Sequence, residues 1–274
     1  MILGESMTVL KSDPSPCYTL IQITDTHLMS KAELSFATLY PAQSFERVLV
    51  HIQRHYPQTD LILHTGDLAQ EPIAATYEYY LRCMNQLGLN YCQIPGNHDD
   101  AQYFPFYQNQ RDVQALHLGK WSIILLNSQV EDKIFGEISA TQQIQLQQLL
   151  DQYSEQHIIV SLHHHPFPMQ SKWIDAHILQ NTDQLLEILA PYQNIKLILC
   201  GHVHQDSVHY WQNLACYSTP STSVQFKPHS EDFALDEMEI GYRVLYLKPD
   251  GSYETQIQRI KEDLAKINLQ ISEY

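Results

Sequence analysis

Apolar residues along this chain fall into short β-rich runs that alternate with segments of helical period. YTLIQIT (18–24) ends abruptly at Asp25, and PAQSFERVLVHIQRHY (41–56) follows with Phe45, Val48, Leu49 and Ile52 on one helical face. The unit recurs: DLILHT (60–65) precedes a predicted helix over about 72–87, with Ile73, Tyr77, Tyr80, Leu81 and Met84 at helical spacing and Pro72 suited to its first turn. YCQIP (91–95) and WSIILLN (121–127) are further strands. A Gln-rich amphipathic helix over about 140–152 has Ile144, Leu146, Leu149 and Leu150 as its apolar positions. HIIVSLH (157–163), a helix over about 182–191 and IKLILC (195–200) continue the alternation. Continuous Val, Ile and Leu runs of this kind read as strands buried on both faces.

After Cys200 the character changes to alternating strands, VHYWQ, LACYST, GYRVLYLK and YETQIQRI, with PDG at 249–251 as the turn between the last two. No linker, internal repeat or charge block divides the chain. The economical expectation is one α/β domain over 1–274, with a core at about 16–260 between short tails, finishing in an antiparallel sheet. At 274 residues and 44% apolar content the chain has ample material for a buried core.

Charge narrows the partners. A formal net charge of -15 with only 16 Lys and Arg, scattered, argues against nucleic acid or an anionic membrane, both of which are bound through clustered basic residues. A small anionic substrate stays open, because bound metal ions would supply positive charge locally. The five cysteines, odd in number and without CxxC spacing, suit free thiols in a reducing compartment. With no signal-like start and no apolar run of about 18 residues, the expectation is a cytoplasmic protein.

The chemistry lies just beyond the predicted strands. Asp25-Thr26-His27, Gly66-Asp67, Gly96-Asn97-His98-Asp99, His163-His164-His165-Pro166 and Gly201-His202-Val203-His204 each place Asp, Asn or His where open α/β sheets build their sites. Each is weak alone: a D-x-H is commonly a turn with a solvated Asp, and GNHD is a good turn sequence because Gly and Asn tolerate the left-handed conformation. Together they supply the oxygen and imidazole donors of a two-metal site with one bridging carboxylate. His64, inside LILHTGD, reads as a strand histidine. No G-x-x-x-x-G-K-[ST] loop or G-x-S-x-G elbow anchors a nucleotide triphosphatase or serine hydrolase reading.

In this order the blocks resemble the calcineurin-like metallophosphoesterase superfamily. LHHHPFPMQSKWIDAHILQN, LILCGHVHQ and STPSTSVQFKPH further resemble the class III (Icc-type) bacterial 3',5'-cyclic AMP phosphodiesterases, over roughly residues 16–260. The resemblance implies a four-layer αββα sandwich of two mixed β-sheets flanked by helices. It implies one ion held by Asp25, His27, Asp67 and His204, and a second held by Asp67, Asn97, His164 and His202, with Asp67 as the bridge. His164 is chosen because it stands two residues before Pro166; a rotated turn would substitute His163 or His165. Iron with manganese, or two manganese ions, are the metals implied, and zinc or cobalt also suit N/O ligands. Water between the ions would attack phosphorus, and His98 is placed to meet the phosphate or the leaving oxygen. Trp173, Phe167 and Phe226 are candidates to stack on adenine or to pack in the core, and His177 and His229 either to approach the site or to lie at the surface or behind a ligand. Hydrolysis of 3',5'-cyclic AMP to 5'-AMP is the expected activity. A broader phosphodiesterase or phosphomonoesterase, or a silent scaffold of the same fold, is the alternative.

Overall fold

The computed structural model describes residues 8–11, 17–37, 39–105, 113–261 and 268–271. Its first half runs β1 (Thr8–Lys11), β2 (Tyr18–Ile23), α1 (Pro41–His55), β3 (Leu61–His64), α2 (Ala74–Leu87), β4 (Tyr91–Gln93), β5 (Gln114–Leu118) and β6 (Trp121–Leu125). The second half runs α3 (Ala140–Gln152), β7 (His157–Ser161), α4 (Lys172–Asp175), α5 (Thr182–Leu189), β8 (Ile195–Cys200), β9 (Ser207–Trp211), β10 (Leu214–Ser218), β11 (Gln225–Phe226), β12 (Leu235–Asp236), β13 (Gly241–Leu247) and β14 (Tyr253–Arg259). A five-stranded sheet has the order β14-β13-β2-β3-β4, a seven-stranded sheet the order β1-β5-β6-β7-β8-β10-β9, and β11 and β12 form a small hairpin.

Strand alternation builds three layers of core, because successive side chains point to opposite faces of a sheet. Ile62 of β3, Ile21 and Ile23 of β2 and Val244 of β13 pack with Phe45, Val48, Ile52, Tyr77 and Tyr80 of α1 and α2. Ile124, Val160 and Ile198 of the other sheet pack with Leu146 and Leu150 of α3 and Leu185 and Leu189 of α5. The intervening positions, among them Leu20, Leu61, Leu63, Ile123, Leu125, Leu197, Leu199 and Leu245, fill the space between the sheets. The result is the αββα sandwich of two mixed sheets flanked by helices.

The structure departs from the expectations in four places. Pro72 lies ahead of α2, which starts at Ala74, so it does not occupy the first turn. Ile144 is 60% exposed, and Gln142 takes an inward position instead: its Oε1 accepts from Asn127 N and its Nε2 donates to Asn127 O. The strands after Cys200 do not close one antiparallel sheet. β10 pairs parallel with β8 and antiparallel with β9, whereas β13 crosses to the other sheet and pairs antiparallel with β2 and β14. β1, β5, α4, β11 and β12 are additional elements. Among the described residues no helix is long and apolar enough to cross a membrane.

Candidate metal centre

β2, β3 and β4 run parallel in one sheet, as β7 and β8 do in the other, so the chain leaves each group of strands at one end. The loops leaving these five ends carry the sequence blocks, and they meet across the seam between the sheets. His202 N donates to both carboxylate oxygens of Asp25, at 3.2 and 3.0 Å, which ties the β8 loop to the β2 loop. His98 N donates to Asp67 Oδ1 at 2.9 Å, which ties the β4 loop to the β3 loop. Gly96 is required by that approach: a Cβ there would strike Asp67 Oδ1 and lie 2.6 Å from Asp67 N.

Around Asp25 and Asp67 the donors are close. His204 Nε2 lies 3.3 Å from Asp25 Oδ1, His27 Nε2 lies 3.9 Å from the same oxygen, and the two Nε2 atoms are 3.2 Å apart. Asp67 Oδ2 lies 3.2 Å from His163 Nε2 and 3.8 Å from His27 Nε2, and His163 Nε2 lies 3.3 Å from Asn97 Oδ1. Three imidazoles are held alike. His27 Nδ1 donates to Gln70 Oε1 at 2.9 Å, His163 Nδ1 to Thr65 O at 2.7 Å and His204 Nδ1 to Val224 O at 2.7 Å.

These bonds test whether the residues fit metal ions. With Nδ1–H committed to an oxygen, Nε2 of each ring faces the cluster, and once free of any proton it offers the lone pair a metal-bound histidine needs. The lone pairs of His27 and His204 then face each other, an arrangement that a cation between them relieves. His202 Nε2 is buried without a hydrogen-bond partner, and Asp67 Oδ2 is buried beside His163 Nε2 at 3.2 Å and His27 Nε2 at 3.8 Å. The backbone agrees: Asp25, His27, Asp67, His202 and His204 all have left-handed φ, between 48 and 69°. Such strain in residues other than glycine concentrates at functional sites. The residues fit a two-ion centre.

Residues 18–206 match the calcineurin-like phosphoesterase family. The chain belongs to that family. It is 37% identical over 251 residues to the 3',5'-cyclic adenosine monophosphate phosphodiesterase CpdA of Haemophilus influenzae, covering 90% of this chain and 92% of that one. To the protein of the same name from Escherichia coli K12 it is 35% identical over 262 residues, covering 94% and 95%. In fold it is similar to a dimetal phosphatase from Danio rerio, with a TM-score of 0.60 at 13% identity over 88% of this chain and 99% of that one.

In this phosphoesterase His163, His164 and His202 offer donor atoms within 4.8 Å of one another. His164 has partners at both ring nitrogens: its Nε2 donates to Ile134 O at 3.0 Å, and its Nδ1 accepts from Ser128 Oγ at 2.8 Å. His163 is the imidazole that faces Asp67 and Asn97, and His165 faces Asp175 at 3.7 Å.

Electrostatics sharpen the contrast among the donors. Burial drives His27 down to about 3, so that ring is neutral. Burial also opposes charge on His163, but Asp67 beside it lifts that imidazole to about 9. Burial penalises the Asp67 carboxylate as well, yet His163 and His98 hold it well below the usual carboxylate range.

Other candidates are placed elsewhere. His64 is a buried residue of β3 whose Nε2 meets Thr26 Oγ1 at 2.5 Å. Phe226 stacks on His204 with 3.8 Å between ring centroids, and Trp173 packs edge-on against Phe226 and Phe233, so these two rings are committed to packing beside His204. Phe167 stacks on His209. His177 comes within 6.3 Å of His202, ring to ring. Sequence reasoning missed the bracing groups Gln70, Thr65, Val224 and Asp99. Asp99 accepts from Leu68 N, Ala69 N, Gly96 N and Tyr77 Oη, locking the β3 and β4 loops together. Its signal was its place in the GNHD block.

Proposed function

We propose that this chain hydrolyses 3',5'-cyclic AMP to 5'-AMP at a dinuclear centre. Asp25, His27, Asp67 and His204 hold one ion, and Asp67, Asn97, His163 and His202 the second; iron with manganese, or two manganese ions, suit this donor set. The observation that carries the reading is the set of Nε2 atoms on His27, His163 and His204, each turned toward Asp25 or Asp67 by a bond at Nδ1. Asp67 suits the bridge because its Oδ2 is within 3.8 Å of an imidazole from each half. Substrate choice rests on the two relatives at 35 and 37% identity, over nine-tenths of the chain, that carry the cyclic AMP name.

When bound, two divalent ions neutralise a phosphodiester and make water a nucleophile near neutral pH. The chain's own residues do the rest. Asn97 contributes a neutral oxygen, which leaves the centre more electrophilic than another carboxylate would. Gln70, Thr65 and Val224 fix the tautomers of the imidazoles. His98, whose ring packs edge-on 5.0 Å from that of His27, gives a proton to the departing 3'-oxygen. Water adds across the bond: its oxygen joins phosphorus, and the 3'-oxygen leaves as a hydroxyl.

A panel of 3',5'-cyclic AMP, 3',5'-cyclic GMP, 2',3'-cyclic AMP and glycerophosphodiesters under matched manganese tests the reading. Catalytic efficiency should be highest on 3',5'-cyclic AMP, by about tenfold or more, which is about 1.4 kcal/mol of transition-state preference. Equal efficiency on glycerophosphodiesters would make this a broad phosphodiesterase. Two bound ions without turnover would make it a scaffold.

A further inference from the structure

His64 closes β3 at a position where a histidine carries a penalty. Leu61 and Leu63 of that strand fill the space between the sheets, whereas Ile62 packs with α1 and α2. Alternation puts His64 on the side of Ile62, where its ring meets that of Tyr80 of α2 edge-on at 5.5 Å. The side chain is fully buried, and burial drives it down to about 3, so the imidazole is neutral. Its Nδ1 has no hydrogen-bond partner. Stranding a ring nitrogen in this way costs stability that the leucine and isoleucine of the same strand do not cost. What the imidazole gains in return is a bond between its Nε2 and Thr26 Oγ1, at 2.5 Å.

Thr26 stands between Asp25 and His27, whose φ angles of 53 and 48° are left-handed, while its own is not. The backbone of this turn hangs on the β3 loop: Asp25 N donates to Gly66 O and His27 N to Asp67 O, both at 3.0 Å. Ser221 Oγ donates to Asp25 O at 2.7 Å. These bonds hold the outer two residues. The side chain of the middle one is held by two groups, with Thr222 Oγ1 donating to Thr26 Oγ1 at 3.3 Å and Thr26 passing its own proton toward His64 Nε2. That direction leaves the ring proton on Nδ1, the nitrogen without a partner. Asp25 and His27 flank Thr26 directly, so a rotation of the middle residue would swing both donors away from His204. Groups behind a ligand commonly fix its orientation in this way.

We propose that His64 is a positioning residue for the ion assigned to Asp25, His27, Asp67 and His204: through Thr26 it keeps the left-handed turn after β2 in the conformation that aims Asp25 and His27 at one point. The inference rests on the two-ion reading of the site and is independent of the substrate.

The test titrates manganese into the metal-free full chain against a competing chelator and records the melting of the metal-free protein. The wild type should take up two ions. His64→Leu, close in volume, should weaken one of them by about 10- to 100-fold, as loss of a group behind a ligand does. Its metal-free form should melt at or above the wild-type temperature, because the stranded nitrogen is gone. His64→Gln, whose amide reaches Thr26 from the place of Nε2, should recover most of the affinity. Added to His27→Ala, His64→Leu should cause little further loss of metal, since both act on the same ion; added to His163→Ala, it should weaken the ion that remains. Equal manganese affinity in wild type and His64→Leu overturns the proposal, whether or not melting changes. So does a His64→Gln protein that binds no better than His64→Leu. A wild type that binds two ions yet leaves cyclic AMP intact would sink the substrate reading and leave this inference standing.

Discussion

Three histidines stand in a row before Pro166, and their hydrogen bonds set them apart. His163 is anchored at Nδ1 and points Nε2 at Asp67, whereas His164 spends both nitrogens on Ile134 O and Ser128 Oγ. His163→Ala should therefore reduce metal content from two ions to one and suppress turnover, while His164→Ala keeps both ions. Metal analysis after desalting decides; the reverse ranking would return the ligand to His164. His98 lends itself to a sharper measurement, because a sugar alkoxide needs a proton on leaving and a nitrophenolate does not. His98→Ala should retain both ions and lose about 10² to 10⁴-fold on cyclic AMP. On a bis-nitrophenyl phosphodiester it should lose far less. Equal losses on the two substrates would falsify the proton-donor role and leave His98 as a phosphate-positioning group.

At the scale of elements, the loops after β3 and β4 approach so closely that no side chain fits at Gly96. Gly96→Ala forces the Asp67 carboxylate aside, and overpacking of this kind costs about 1 to 3 kcal/mol. Melting should fall by about 2 to 4 °C for each kcal/mol, and metal content should fall with it. A Gly96→Ala protein with full metal and activity would show that the loops have slack. The strands that carry these loops were legible because β2, β3, β7 and β8 are apolar on both faces and end abruptly at polar blocks. Two-residue strands such as β11 and β12 have no period to detect. Sheet membership was hidden too: β13 reads as a strand in sequence, but its pairing with β2 joins segments more than 200 residues apart. Composition likewise gave no sign of the left-handed backbone. Glycine and asparagine pointed to GNHD as its place, whereas Asp25, His27, Asp67, His202 and His204 adopt it.

For the whole molecule, those five strained residues make ions part of the stability. Each left-handed residue costs on the order of 1 to 3 kcal/mol, and ions that bind only the folded chain offset the cost. At about a thousandfold excess over the dissociation constant a ligand adds about 4.1 kcal/mol. Complete chelation should lower the melting temperature by on the order of 10 °C, and manganese should restore it. An unchanged melting temperature after verified metal removal would mean that the loops keep their shape unaided. The place of β13 beside β2 has a further consequence. β2, whose following loop carries Asp25, lacks one neighbour until residues 241–247 exist, and His202 and His204 also lie far downstream of Asp25. A ribosome must therefore extend the chain past residue 247 before the first aspartate has its full setting, so loading with ions waits for that late segment.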